Sequence, residues 1–242
     1  MNKLLMIGAA TVLTACGGGG GSTAPAAPPP LVTAEGFWEG PASTGASVAL
    51  AVLENGETWG VYTSGSFIAG ALYGTTNSSG TTLTGSGKDF NIPSRSVTTA
   101  TYNGTFVAKS SIRVATSGGS TFTGNYVAAY DQPASLAALA GTFSGQGVSG
   151  NSSTQTIPVT ISTSGAVTVP TSGGCGASGT VSPRATGKNI FDVSVTFNGT
   201  TCALGDGTVT KGVGYFNVTS RTLSVLALNP AKTDGFIYVG QK

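Results

Sequence analysis

Residues 47–65 read SVALAVLENGETWGVYTSG. Asn55-Gly56 is a strong hairpin signal, because a type I′ turn needs positive φ at both central positions and Asn and Gly tolerate it. A two-residue loop pairs Glu54 with Glu57, which sets Val52 opposite Trp59 and Leu50 opposite Val61. Val48, Leu50, Val52, Trp59 and Val61 then share one apolar face, and Ala49, Ala51, Thr58, Gly60 and Tyr62 the other. That is the pattern of an antiparallel sheet wet on one side. It recurs in NIFDVSVTF, residues 189–197, where Phe191, Val193, Val195 and Phe197 alternate with polar residues.

The same alternation predicts strands at 36–41, 47–53, 58–63, 67–75, 80–86, 98–108, 111–116 and 120–129. A second set falls at 141–146, 155–162, 165–170, 177–183, 189–197, 208–218, 221–228 and 234–240. Each set holds about eight strands, the number at which a closed barrel is just filled by its own side chains. Between them Gln132-Pro133-Ala134-Ser135-Leu136-Ala137-Ala138-Leu139 predicts a short helix, with Pro near its start and Ala and Leu as helix formers. The expected fold is all-β, two small antiparallel up-and-down barrels in tandem over 33–131 and 132–242. Gly36-Phe37-Trp38-Glu39-Gly40 opens the first unit and Gly141-Thr142-Phe143-Ser144-Gly145 the second. An internal duplication is one reading of that match, and Gly at the bends of barrel strands is the other.

Residues 1–15, MNKLLMIGAATVLTA, have the parts of a secretory signal: Lys3, an apolar stretch from Leu4 to Leu13 too short to span a bilayer, then small residues. Leu13-Thr14-Ala15-Cys16 resembles the lipobox of bacterial lipoproteins, and that resemblance makes Cys16 the acylated residue and the membrane anchor. Several acyl chains, at about 0.8 kcal/mol per buried methylene, hold a protein at a membrane where one chain is marginal. Gly17 to Pro30 has almost nothing to pack, so residues 16–32 read as a lipidated Cys followed by a Gly/Pro-rich tether. Gly17 stands where lipoproteins retained at the inner membrane often carry Asp, and the resemblance therefore implies the outer membrane.

With Cys16 acylated, Cys175 and Cys202 remain, and in an oxidising compartment they pair most simply as a disulfide. Zinc is the alternative, but the chain has no His and the two Cys lack CxxC spacing. No cofactor or metal is expected. Charged residues are 8% of the chain, 11 basic against 9 acidic, and the basic ones are scattered singly, so no nucleic-acid footprint exists.

Motifs for chemistry fail on inspection, and no catalytic residue is assigned. Gly145-Gln146-Gly147-Val148-Ser149-Gly150 fits GxGxxG, but Asn151-Ser152-Ser153-Thr154 follows where a helix must begin, so it reads as a loop. Without His, a Ser or Cys nucleophile lacks its usual base. Glu35 with Glu39, and Glu54 with Glu57 at the hairpin tip, are the carboxylate pairs a glycosidase would need, yet both sit at strand ends without aromatic platforms. Trp38 and Trp59 read as core. For ligand contact the candidates are Phe90, Ile92 and Arg95, in the segment Phe90-Asn91-Ile92-Pro93-Ser94-Arg95, which has apolar and basic character but no alternation. The bland alternative has Phe90 and Ile92 plugging a barrel end.

The lipobox, the tether and the Gly-rich barrels together resemble Gram-negative surface lipoproteins of the transferrin-binding-protein-like and factor-H-binding-like kind. The stretch from LAGTFSG through the two Cys to GFIYVG resembles a barrel module found at the end of such proteins. That resemblance implies an outer-membrane lipid-anchored location and a protein ligand, with no binding residue to carry over. Three functions follow: a non-catalytic module presenting loops to a protein or nutrient carrier, a structural spacer, or a binder of a small apolar ligand in a lipocalin-like barrel. A cavity inside either barrel favours the last, and fully packed interiors remove it.

Overall fold

A computed structural model describes residues 32–149 and 152–242. Cys16, the signal segment and most of the tether lie outside the described residues. The first barrel comprises β1 (Gly36–Pro41), β2 (Ser47–Val52), β3 (Glu57–Ser64), β4 (Phe67–Ser79), β5 (Thr82–Asn91), β6 (Ser96–Val107), β7 (Ser111–Thr116) and β8 (Thr121–Tyr126). The second comprises β9 (Gly141–Ser149), β10 (Gln155–Ile161), β11 (Ala166–Ser172), β12 (Cys175–Pro183), β13 (Phe191–Asn198), β14 (Val209–Asn217), β15 (Thr222–Leu228) and β16 (Gly235–Gln241). Each strand pairs antiparallel with its sequence neighbour, and β1 on β8 and β9 on β16 close the two barrels. Both are thus up-and-down barrels without free edges. The strands follow the alternation of the sequence closely, with one extension: β5 runs on to Asn91 and β6 begins at Ser96, so together they take up most of the 87–97 stretch between the expected runs.

The hairpin at residues 53–57 departs from the expected register. Leu53 N–H donates to Glu57 O at 2.8 Å, Gly56 N–H to Leu53 O at 2.9 Å, and Gly56 has φ +82°. Asn55 is not among the residues with positive φ, so the loop is a three-residue type I turn ending in a left-handed Gly. Asn55 Oδ1 accepts from Glu57 N–H at 3.0 Å, which holds this form. The same closure recurs at 42–46, 116–120 and 162–166, with Gly45, Gly119 and Gly165 at positive φ. The extra residue shifts the pairing by one, to Val52↔Thr58, Ala51↔Trp59, Leu50↔Gly60 and Ala49↔Val61. Trp59 and Val61 therefore point away from Val48, Leu50 and Val52, because a one-residue slip exchanges faces. Glu54 and Glu57 do not oppose each other.

The face expected to be wet is buried instead. Phe37, Ala51, Leu53, Trp59, Val61, Ile68, Ala71 and Phe90, on the outside of the first barrel, share one buried cluster with Val148, Ile190, Val213, Tyr215, Leu226, Leu228 and Ile237, on the outside of the second. Phe37 stacks on Tyr215 with ring centroids 3.7 Å apart. These strands are apolar on both faces because one lines a barrel and the other meets the neighbouring barrel. Residues 32–242 consequently form one compact unit. Buried within the cluster, Trp59 Nε1 and Tyr215 Oη have no hydrogen-bond partner among the described residues, so apolar burial is what holds this contact.

Ionic contacts ring it. Arg184 contacts Glu54 at 2.8 Å and Asp192 at 2.6 Å, while Asp131, which ends a 3-10 turn at Ala128–Asp131, takes Lys188 at 2.6 Å and Lys109 at 2.8 Å. Partial burial opposes the Asp131 charge, but the bonds from Lys109, Lys188 and Tyr126 prevail and bring its pKa down to about 2, from an ordinary 3.8. A carboxylate with a depressed folded pKa stabilises above its unfolded pKa and loses that contribution as pH falls through the folded value. Asp131→Asn is therefore expected to destabilise the chain at pH 6 and to be nearly neutral at pH 2. Urea midpoints at both pH values check this, and an equal loss at both would refute the assignment.

The segment before each first strand closes one end of its barrel. Ala34 and Trp38, both fully buried, do so in the first barrel, where Trp38 Nε1 donates to Ala34 O at 3.1 Å. In the second, the helix is only the turn α1 (Leu136–Leu139), shorter than the expected 132–139 because Ser135 caps it, accepting from Ala138 N–H at 3.2 Å. Leu139 plugs the barrel, and Lys242 Nζ donates to the carbonyls of Ala138, Leu139 and Ala140. Trp38 and Phe143, third in the two matched openings, both point into their barrels. Cys175 and Cys202 form a disulfide at the other end of the second barrel. A closed loop of that length stabilises by about 3–4 kcal/mol through loop entropy. Gly145 to Ser149 belongs to β9 and is not a loop.

Candidate functional site

Inward positions of the first barrel can be followed through the register. Leu50 opposes Gly60 and Gly60 opposes Leu72, then Leu72 opposes Asp89 and Asp89 opposes Thr98. Leu72, Gly74 and Thr76 on β4 lie beside Asp89, Gly87 and Gly85 on β5, and Gly87 beside Ala100 on β6. Large inward side chains cluster toward one end, where Trp38, Leu50, Val52, Leu83, Phe106, Ile112, Val114 and Phe122 pack together. Elsewhere Gly and Ala face inward and leave space. The result corrects the expectation of a barrel filled by its own side chains: a cavity of about 620 Å³ opens between the hairpins at 42–46, 91–96 and 116–121. That volume lies within the range of small-molecule sites.

The cavity has two unlike walls. Leu50, Val52, Ile112, Val114 and Phe122, from β2, β7 and β8, make the apolar one. Thr58, Tyr62, Thr76, Asp89, Thr98 and Tyr102, from β3 to β6, make the polar one. Thr58 Oγ1 and Thr76 Oγ1 are 2.6 Å apart, and Thr76 Oγ1 and Tyr102 Oη 3.0 Å, a chain of hydroxyls across the sheet. Tyr62 Oη donates to Asp89 Oδ1 at 2.6 Å. Burial, then the bond and charge of Asp89, push the Tyr62 hydroxyl well above its ordinary pKa, so it stays a neutral donor. Lys88 also borders the cavity, but its ammonium is engaged elsewhere, Nζ donating to Lys232 O at 2.6 Å. Asp89 thus supplies the one charged side chain that points in among the described residues.

The second barrel holds a smaller cavity, about 340 Å³, lined by Val159, Ile161, Val193, Val195, Phe197, Val225 and other apolar residues, with the disulfide near its mouth. Among the described residues it carries no charged side chain.

The residues singled out in the sequence do not gather at either cavity. Phe90 closes β5 as a buried member of the inter-barrel cluster, and Ile92 packs against the same cluster. Neither plugs a barrel end. Arg95 is exposed at the tip between β5 and β6, with φ +51°. From the same segment Asn91 and Pro93 border the mouth of the larger cavity. The carboxylates are dispersed as well: Tyr130 Oη donates to Glu35 at 3.1 Å, burial raises Glu39, and Arg184 takes Glu54. Asp89, Tyr62 and Tyr102 were missed, and the available signal was the period-2 row Leu83, Gly85, Gly87, Asp89, Asn91. An alternate row so rich in Gly marks a strand facing empty space.

Compared with protein-family models, with curated proteins and with solved structures, the chain finds no match.

Proposed function

We propose that the chain is a lipid-anchored protein of the bacterial outer membrane that holds a small molecule with an apolar body in the lumen of its first barrel. The cavity of about 620 Å³, open at one end and walled by Leu50, Ile112, Val114 and Phe122, is the observation that carries this reading. A spacer has no use for unfilled core, because each lost contact weakens packing. Retention of a small apolar ligand in a lipocalin-like barrel accounts for this void, which loop presentation to a protein does not require. The envelope address rests on the leader and the Leu13-Thr14-Ala15-Cys16 resemblance, and a Cys175–Cys202 disulfide accords with an oxidising compartment.

Ala100 faces the lumen opposite Gly87, so a phenyl ring there enters the void and not a neighbouring side chain. Binding of the neutral fluorophore N-phenyl-1-naphthylamine should weaken about tenfold or more in Ala100→Phe, since tenfold needs only ~1.4 kcal/mol. Thr101→Phe, on the outer face, should bind as the parent does. Equal binding by all three chains would remove the first lumen as the site.

A further inference from the structure

The lumen of the first barrel is amphipathic and carries uncompensated charge. Asp89 stands on the polar wall with its Oδ1 held by Tyr62 Oη at 2.6 Å, and its second oxygen has no protein donor among the described residues. Its neighbour in sequence, Lys88, alternates to the outside of β5 and donates to Lys232 O. Across from Asp89 on β6 stands Thr98, a hydroxyl that accepts as readily as it donates. Tyr62 and Tyr102 add ring faces to the same wall. A carboxylate facing an otherwise uncharged lumen attracts a cation, and aromatic faces favour one further.

We propose that Asp89, oriented by Tyr62, is a head-group site that selects ligands bearing a primary ammonium on an apolar body. The inference rests on the lumen being a ligand site and adds the class of ligand. The ammonium meets the free oxygen of Asp89 and a neighbouring hydroxyl, while the body lies against Leu50, Val52, Ile112, Val114 and Phe122. Tyr62 serves as a positioning residue: its donated bond fixes one carboxylate oxygen and leaves the other turned to the lumen. Carboxylate-headed amphiphiles are repelled by the same charge.

Three dansyl probes with the same five-carbon chain, ending in an ammonium, a hydroxyl or a carboxylate, test this on the purified full chain by the emission change on binding. The ammonium probe should bind about tenfold or more tightly than the alcohol, and the carboxylate should bind weakest, as expected for one charge-assisted contact in a sheltered site. In Asp89→Asn, which keeps the shape and an acceptor for Tyr62, ammonium and alcohol should come within about twofold of each other, a residual difference well under one charge-assisted bond. Tyr62→Phe should reduce the preference without abolishing it. Ammonium and alcohol binding equally to the parent chain would overturn the head-group assignment while leaving the lumen a ligand site, and that comparison needs no variant to fold. Failure of all three probes to bind, or binding unaltered by Ala100→Phe, would instead strike the lumen itself and this inference with it.

Discussion

Replacing Phe37 by alanine is expected to cost about 3–5 kcal/mol, the range for a buried aromatic, and to split one unfolding transition into two. Phe37 is 3% exposed, and its ring lies flat on Tyr215 of the other barrel, so its loss removes apolar contact where few polar bonds assist. Around it, Leu53, Trp59, Val61 and Phe90 depend on the same seam. In the parent chain each barrel covers apolar surface of the other, and the two should therefore unfold together. Both tryptophans, Trp38 and Trp59, lie in the first barrel. Tryptophan emission in urea thus follows the first barrel, whereas far-ultraviolet circular dichroism follows both. The two signals should coincide in the parent and separate in Phe37→Ala. Coincident curves in the variant would mean that the seam does not couple the barrels.

Its neighbour gives an effect of the same size in the opposite direction from the sheet. Trp38 is fully buried inside the first barrel, edge-on to Tyr126 at 5.3 Å, with Nε1 bonded to Ala34 O. Trp38→Ala should also cost about 3–5 kcal/mol, since it leaves a void at the closed end and an unpaired carbonyl. Because the seam stays intact, both barrels should still unfold in one transition at lower urea, with Trp59 emission and far-ultraviolet circular dichroism coinciding. Trp38 packs with Leu50, Leu83 and Ile112, which line the lumen, so its loss should let the lumen deepen and longer-bodied probes gain affinity relative to short ones. Phe37→Ala should leave that ranking unchanged. If the two signals separated in Trp38→Ala as in Phe37→Ala, the separation of interior from seam drawn from the register would be wrong.

Consecutive residues with such different duties show where the sequence is legible. The alternation in β1 says that Phe37 and Trp38 point to opposite faces, but both are large and apolar, so neither face is marked as the inside. In β13 the partners of Phe191, Val193, Val195 and Phe197 are polar, and the inward face is plain. In β2 and β3 the tip decides the matter. Glu54-Asn55-Gly56-Glu57 suits a two-residue turn as well as a three-residue one, and the difference moves Trp59 from lumen to seam. Asp89 was hidden for a related reason. It stands between Lys88 and Phe90, both on the outer face, while its own inward row runs Gly85, Gly87, Asp89 and Asn91, so no apolar alternation marks the inside there.

The amino-acid sequence alone determined that this protein folds as strands of about these lengths, grouped in two sets of eight, with a disulfide joining Cys175 to Cys202. Those features depend on period-2 patterning, on Gly at turns and on which Cys remain, all readable within a few residues. Tertiary structure decided which face is the interior, that the barrels bury their flanks against each other, and that one lumen stays open around Asp89. Each of these depends on side-chain volumes summed over eight strands far apart in the chain, and no local pattern records that sum.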